Sequence, residues 1–166
     1  KEYDKSWAVR GTKGERTHNI VNSLYLKPEI LEQTNFERYE RYKKIEENEV
    51  MYEEFMMEDA EYCVVAFGIA ARVAKNAIVA AREKGIKVGL IRPITLWPFP
   101  KKVLAEAARK VKGFLSVELS MGQMIEDVKL AINCSKPVNL CNRTGGMITT
   151  TEDVLNKIYE ANGGKN

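Results

Sequence analysis

Apolar residues follow two rhythms along this chain. Downstream of Glu61 they come in short unbroken runs: Tyr62-Cys63-Val64-Val65-Ala66-Phe67, Lys87-Val88-Gly89-Leu90-Ile91, Phe114-Leu115-Ser116-Val117-Glu118 and Val138-Asn139-Leu140-Cys141. Runs of that length read as strands covered on both faces. Each is followed by a stretch with helical spacing: Ala70–Lys84, Lys102–Lys110, Met121–Asn133 and Thr151–Ala161. Regular alternation of strand and helix requires parallel strands, because each helix carries the chain back along the sheet. The expected fold class is α/β: a three-layer α/β/α sandwich with a mainly parallel sheet, over residues 59–166. The pairs Thr149…Glu152 and Thr150…Asp153 each suit a capping box opening the last helix. The tail Gly163-Gly164-Lys165-Asn166 is expected to fray.

The upstream pattern differs. Pro28 suits the first turn of a helix, where its missing N–H costs nothing. Over Glu29–Glu49, Ile30, Leu31, Phe36, Tyr39, Tyr42 and Ile45 fall near one side, and Glu, Arg and Lys crowd the other. This predicts an amphipathic helix, with an interruption near Asn35, acting as a lid on the core rather than lying on a membrane. An edge strand around Glu49–Met57 stays open, so residues 28–58 form a helical segment with that strand as an option. Residues 1–27 lack a regular period and read as an arm or linker whose patch Ser23-Leu24-Tyr25-Leu26 docks. The chain begins at Lys1 rather than Met and reads as a piece of a longer polypeptide.

Composition adds exclusions. Apolar residues are 45% and charged residues 30% of the 166, an ordinary globular mix. No apolar run approaches the roughly 20 residues of a bilayer span, and no signal peptide is visible in the polar stretch at Lys1. The net charge of +3 is spread over interleaved acids and bases, as in Glu37-Arg38-Tyr39-Glu40-Arg41, which argues against a nucleic-acid stripe. Cys63, Cys134 and Cys141 form no CxxC pair, and His18 is distant from them in sequence. That set does not suit a zinc or iron–sulfur site and reads as free thiols in a reducing cytoplasm.

In a parallel sheet the loops after the strands share one edge, where ligands and partners meet the fold. The unusual residues lie there: Gly68-Ile69-Ala70, then Arg92–Pro100, then Glu118–Met124, then Asn142–Met147. The second loop holds three of the five prolines with Trp97 and Phe99. It is stiff, apolar and poor in donors, which suits protein docking. Gly68 alone carries no phosphate fingerprint, and Gly145-Gly146 reads as a turn or an anion nest. Glu118 could be a tuned carboxylate, but a helix cap, or an ion-pair acceptor for Arg92 or Arg143, is the simpler role. The expected interface residues are Arg92, Trp97, Phe99, Glu118, Met121, Gln123, Met124 and Arg143. No catalytic, cofactor-binding or metal residue is expected. Trp97→Ala or Met124→Glu is expected to weaken assembly without unfolding the domain.

Two of these loops, Arg92-Pro93-Ile94-Thr95-Leu96-Trp97-Pro98-Phe99-Pro100 and Val117–Val128 (Glu118-Leu119-Ser120-Met121-Gly122-Gln123-Met124 at its centre), resemble the 2-oxoacid:ferredoxin oxidoreductases. So do Asp59-Ala60-Glu61, Val64–Gly68, Gly85–Gly89 and Gly145-Gly146. The likeness runs from about Asn19 to Ile158 and is to the C-terminal, transketolase-like domain of the alpha-type subunit, most of all the 2-oxoisovalerate type. It implies an oxidative decarboxylation: a thiamine diphosphate carbanion attacks the 2-oxoacid, carbon dioxide leaves, and electrons pass through iron–sulfur clusters to ferredoxin. Coenzyme A takes the acyl group. The chain lacks the GDG…N stretch that holds magnesium and diphosphate, and it lacks cluster cysteines. The resemblance therefore implies a non-catalytic assembly domain, binding no cofactor itself, in an oligomer with other subunits and with ferredoxin as partner of the complex. A free-standing nucleotide- or anion-binding module, or a fragment of a lipoamide-linked 2-oxoacid dehydrogenase or transketolase, stays open at this point.

Overall fold

The computed structural model describes residues 2–8, 11–20 and 22–164. Lys165 and Asn166 of the tail expected to fray, and Lys1, Val9, Arg10 and Val21 of the arm, lie outside the described residues. Two compact units result, Lys1–Arg41 and Tyr42–Asn166, and the division falls inside the first helix, α1 (Pro28–Asn48).

The first unit has little interior. Its arm is held by polar ties: the Arg16 guanidinium donates to the Ala8 carbonyl at 3.0 Å, and the Asn19 amide donates to the Trp7 carbonyl at 2.9 Å. Tyr3, Trp7, Ile20, Leu24 and Leu26 are exposed. Helix α1 is continuous through Asn35, with the Thr34 hydroxyl bonding the Ile30 carbonyl at 2.8 Å and the Gln33 amide supporting it by a bond to Glu37 at 3.0 Å. The expected break is therefore absent. No residue of α1 is buried.

The second unit contains a five-stranded sheet of order β1-β3-β2-β4-β5. The strands are β1 (Tyr52–Phe55), β2 (Tyr62–Ala66), β3 (Val88–Pro93), β4 (Gly113–Glu118) and β5 (Val138–Asn142). β2 to β5 are mutually parallel, with Tyr62 opposite both Val88 and Gly113, and Phe114 opposite Val138. β1 is the antiparallel edge strand, with Tyr52 opposite Pro93. Between and after them run α2 (Gly68–Glu83), α3 (Lys101–Ala108), α4 (Met124–Ala131) and α5 (Thr151–Ala161).

Period-two alternation sends the strand side chains to two separate layers. Val64, Ala66, Leu90, Leu115 and Val117 meet Ala70, Ala74, Ala77 and Ile78 of α2 and Val154 and Ile158 of α5. Cys63, Val65, Ile91 and Phe114 meet Leu104 of α3 and Met124 and Val128 of α4. The alanine-rich face of α2 lets that helix lie close to the sheet. This is the three-layer sandwich expected from the alternation. The capping box belongs to Thr150 and Asp153, each bonding the other's backbone N–H, at 3.1 and 2.9 Å.

The expected helices shift by one or two residues at several ends, and the start of α4 shifts most. α4 begins at Met124 rather than Met121. Residues 119–123 stay outside the helix because they fold back around the Glu118 carboxylate.

Candidate functional interface

The parallel order fixes which residues can meet. The chain leaves β2 toward β3 on one side and later crosses to β4 on the other, so the carboxyl ends of β2 and β4 flank a topological switch point. The loops after β2, β3, β4 and β5 line that edge.

At its centre lies Glu118, the last residue of β4, with 1% of its surface exposed. Its Oε2 accepts hydrogen bonds from the Ser120 hydroxyl (2.5 Å) and from the N–H groups of Gln123 (2.9 Å) and Met124 (3.0 Å). Its Oε1 accepts from the Ser116 hydroxyl (3.0 Å) and the Ile125 N–H (3.1 Å). Burial pushes this carboxyl's pKa up, but the hydrogen bonds from Ser120, Met124, Ser116 and Ile125 together outweigh it and hold the pKa below the ordinary value. Both carboxylate oxygens are engaged by backbone and hydroxyl donors. Glu118 is an N-terminal cap for α4, supplied from a strand. Neither expected arginine reaches it: Arg92 pairs with Glu53 at 3.0 Å, and Arg143 pairs with Asp153 at 2.6 Å.

Cross-ties hold the surrounding loops. The Thr95 hydroxyl donates to the Pro98 carbonyl at 2.8 Å and accepts from the Met51 N–H at 3.0 Å. The Asn142 amide donates to the Ser120 carbonyl at 2.8 Å, joining the ends of β5 and β4. What these loops present is apolar: Ile69 after β2, Ile94, Leu96 and Trp97 after β3, Leu119 and Met121 after β4, Met147 and Ile148 after β5 are all exposed. Trp97 stands edge-on to Tyr42, centroids 5.3 Å apart and planes at 73°. Beside it opens a groove of about 470 Å³ with Val50, Tyr52, Leu96 and Pro98 in its walls.

The expected interface residues divide. Trp97 (53% exposed), Met121 (78%), Gln123 and Arg143 are on the surface, and Arg92 is partly covered. Phe99 (8%), Met124 (4%) and Glu118 are interior. Phe99 and Met124 pack in the layer formed with α3 and α4, so neither lines the rim, and Met124→Glu would put a charge into the core. Sequence reasoning passed over Ile94, Leu96, Leu119 and Ile148. Their signal was apolar residues in loops with no strand or helix period.

The Arg143 guanidinium and the Thr150 N–H hold the Asp153 carboxyl at about 2. A carboxyl depressed in the folded state stabilises the fold above its unfolded pKa, roughly 3.9. That contribution is lost as pH falls from there through about 2. Acid titration of Asp153→Asn, followed by circular dichroism, should show less loss of stability between these pH values than the parent.

The donor set does not fit a metal or cluster. Among the described residues no group of three or more His, Cys, Asp or Glu could hold a metal ion. Cys63 and Cys141 are buried, with burial pushing both thiols up, Cys141 to about 11, while Cys134 is exposed. No helix among the described residues is long and apolar enough to cross a membrane.

Residues 60–154 match the family described as pyruvate:ferredoxin oxidoreductase core domain II. The ketoisovalerate oxidoreductase subunit VorB of Methanothermobacter marburgensis is 51% identical over 98% of this chain and 46% of its own length. The 2-oxoglutarate synthase subunit KorA of the same organism is 35% identical over 61% of this chain and 27% of its own. The chain thus spans about half the length of the VorB relatives it matches. Two solved structures share the fold. A 2-oxoglutarate:ferredoxin oxidoreductase from Magnetococcus marinus superposes with TM-score 0.66 at 19% identity, covering 82% of this chain and 24% of that one. A split-gene transketolase, an inactive β4 tetramer, gives 0.60 at 20% identity, covering 70% and 42%.

Proposed function

The chain belongs to the pyruvate:ferredoxin oxidoreductase core domain II family, and from that premise we propose that it is a non-catalytic assembly domain of a cytoplasmic, multisubunit 2-oxoacid:ferredoxin oxidoreductase. The complex oxidatively decarboxylates a 2-oxoacid to an acyl-CoA and reduces ferredoxin. The substrate is 2-oxoisovalerate, a reading supported by the 51% identity to a ketoisovalerate oxidoreductase subunit. Thiamine diphosphate, magnesium and the iron–sulfur clusters belong to other parts of that complex. No catalytic step is assigned to residues of this chain.

The observation that carries the assembly role is the apolar rim. The loops after β3, β4 and β5 (residues 94–100, 119–123 and 143–150) each expose large apolar side chains, Ile69 in the first turn of α2 adds another, and those three loops contain a single charged residue, Arg143. Large apolar side chains exposed at one edge of a sheet suit a protein contact. The Glu118 cap and the Thr95 and Asn142 ties fix the loops beforehand, so docking orders little.

Two measurements test the reading. Mixed with the other polypeptides of the complex, the Trp97→Ala/Met121→Glu variant should elute unassembled from a sizing column, with association weakened at least about tenfold. Its circular dichroism melt should match the parent, because both side chains are exposed. Normal assembly would remove the rim from the interface. Calorimetry of the chain with thiamine diphosphate and magnesium should give no binding heat, and a micromolar affinity would overturn the non-catalytic assignment.

A further inference from the structure

The two edges of the sheet have opposite chemistry. The edge opposite the rim holds the starts of β2 to β5: the connection into β2, residues 56–61, brings Glu58, Asp59 and Glu61, and α2, α3 and α4 hand the chain back to β3, β4 and β5 at residues 84–87, 109–112 and 132–137. The latter three connections contain Lys84, Lys87, Arg109, Lys110, Lys112 and Lys136, and no acidic residue. Those six positive charges exceed the net charge of the whole chain, +3. Because Tyr62 is opposite Val88 and Gly113, and Phe114 is opposite Val138, they are gathered along one line of strand starts. Four strands at about 4.8 Å spacing make that line roughly 15 Å long.

Internal structure uses only part of this charge. Lys112 pairs with Glu61, Lys84 lies 5.0 Å from the centre of the Tyr159 ring, and Lys87 helps lower the pKa of the Asp59 and Glu61 carboxyls. Arg109, Lys110 and Lys136 make no ion pair among the described residues. A basic residue in a helix's last turn complements the helix dipole. Lys87, Lys112 and Lys136 lie beyond that reach, four or five residues past their helix ends. A concentration of like charge is self-repelling and is relieved by an oppositely charged surface.

We propose that this edge docks an acidic protein surface, by a salt-sensitive contact separate from the apolar rim. Charge complementarity names the partner's chemistry: a face rich in Asp and Glu. A protein is favoured over nucleic acid because Glu58, Asp59 and Glu61 interrupt the basic line before β2: a protein face can set neutral or basic residues opposite them, whereas a phosphate backbone carries its negative charge at every step. Five of the six cations are lysine, a hydrated point charge suited to diffuse, reversible contact rather than bidentate phosphate binding.

The probe is poly-L-glutamate, titrated into the isotope-labelled chain and followed by amide NMR shifts. Shifts should concentrate at 84–87, 109–112 and 132–137 and spare 94–100 and 119–123. Affinity should fall about tenfold between roughly 50 and 200 mM salt. The Arg109→Glu/Lys110→Glu/Lys136→Glu variant should lose at least about tenfold in affinity with an unchanged melting curve. A milder Lys110→Gln/Lys136→Gln variant, which keeps the fold if the first does not, should lose about threefold. Shifts scattered over all basic surfaces, or affinity unchanged in either variant, would overturn the proposal. Tighter binding of a short DNA duplex or of phosphatidylserine vesicles at the same residues would also overturn it, in favour of those surfaces. Assembly through the rim is read separately, so failure here leaves the proposed function standing.

Discussion

Glu118→Ala should cost the domain about 4 kcal/mol, measured as the shift in urea midpoint at constant slope. The reasoning starts from the five donors on this one carboxylate, the hydroxyls of Ser116 and Ser120 and the N–H groups of Gln123, Met124 and Ile125. Removing the acceptor leaves them buried beside a cavity, and the three N–H groups open a helix with no side-chain cap of its own. Glu118→Gln separates charge from shape. One oxygen becomes an NH₂ facing donors, so about 2–3 kcal/mol should still be lost. The pH dependence has a definite sign. The folded carboxyl titrates below its ordinary value, so its stabilisation is in place above roughly pH 4.3 and fades as pH falls through the folded pKa. An interface acceptor would behave otherwise: Glu118→Ala would leave the isolated chain within about 0.5 kcal/mol of the parent and damage only assembly. That result would refute the cap.

The same carboxylate marks the limit of what the sequence discloses. β2, β3 and β4 were legible because strands covered on both faces must be continuously apolar, and Val64, Val65 and Leu90 obey that rule with no exposed surface; β5, an edge strand with only Cys141 buried, was legible from its place in the alternation. Helix α5 was legible because its cap is local, Thr150 with Asp153 three residues on. The cap of α4 was not, because its acceptor sits in a strand and reaches the helix N–H groups five to seven residues on. The Met121 start assigned from helical spacing failed for that reason. The rim was half legible. Leu96-Trp97-Pro98-Phe99-Pro100 has no period that separates inside from outside, and the structure exposes the first two residues and buries the last three. Met121 and Met124 differ likewise, since only the second lies on α4, turned toward the sheet. For α1 the spacing was read correctly as a helix, but helical spacing does not say what covers a helix's apolar residues.

Gly89→Ala should destabilise the domain by about 2–4 kcal/mol, although alanine has ordinary strand geometry and the site is apolar. Gly89 lies in β3 opposite Cys63 of β2, on the face that Ile91 shares. A Cβ built there would lie 2.5 Å from the Met56 carbonyl oxygen, 2.6 Å from the Met57 sulfur and 2.9 Å from the Met56 carbonyl carbon. The sulfur could swing aside, since methionine is flexible. The carbonyl could not, because it accepts a hydrogen bond from the Arg82 guanidinium at 2.7 Å. Arg82 also bonds the Val88 carbonyl at 2.8 Å and Asp59 at 2.7 Å. Moving Met56 therefore loosens the connection from β1 to β2 and one end of α2 together. Met56 itself has φ +54, which leaves little freedom to adjust. Only a residue without a Cβ admits this approach. Shared strain gives a second readout: Gly89→Ala and Arg82→Met should be less than additive in urea unfolding, since each releases the same carbonyl. A Gly89→Ala variant within about 0.5 kcal/mol of the parent, or strict additivity with Arg82→Met, would contradict this account of β3.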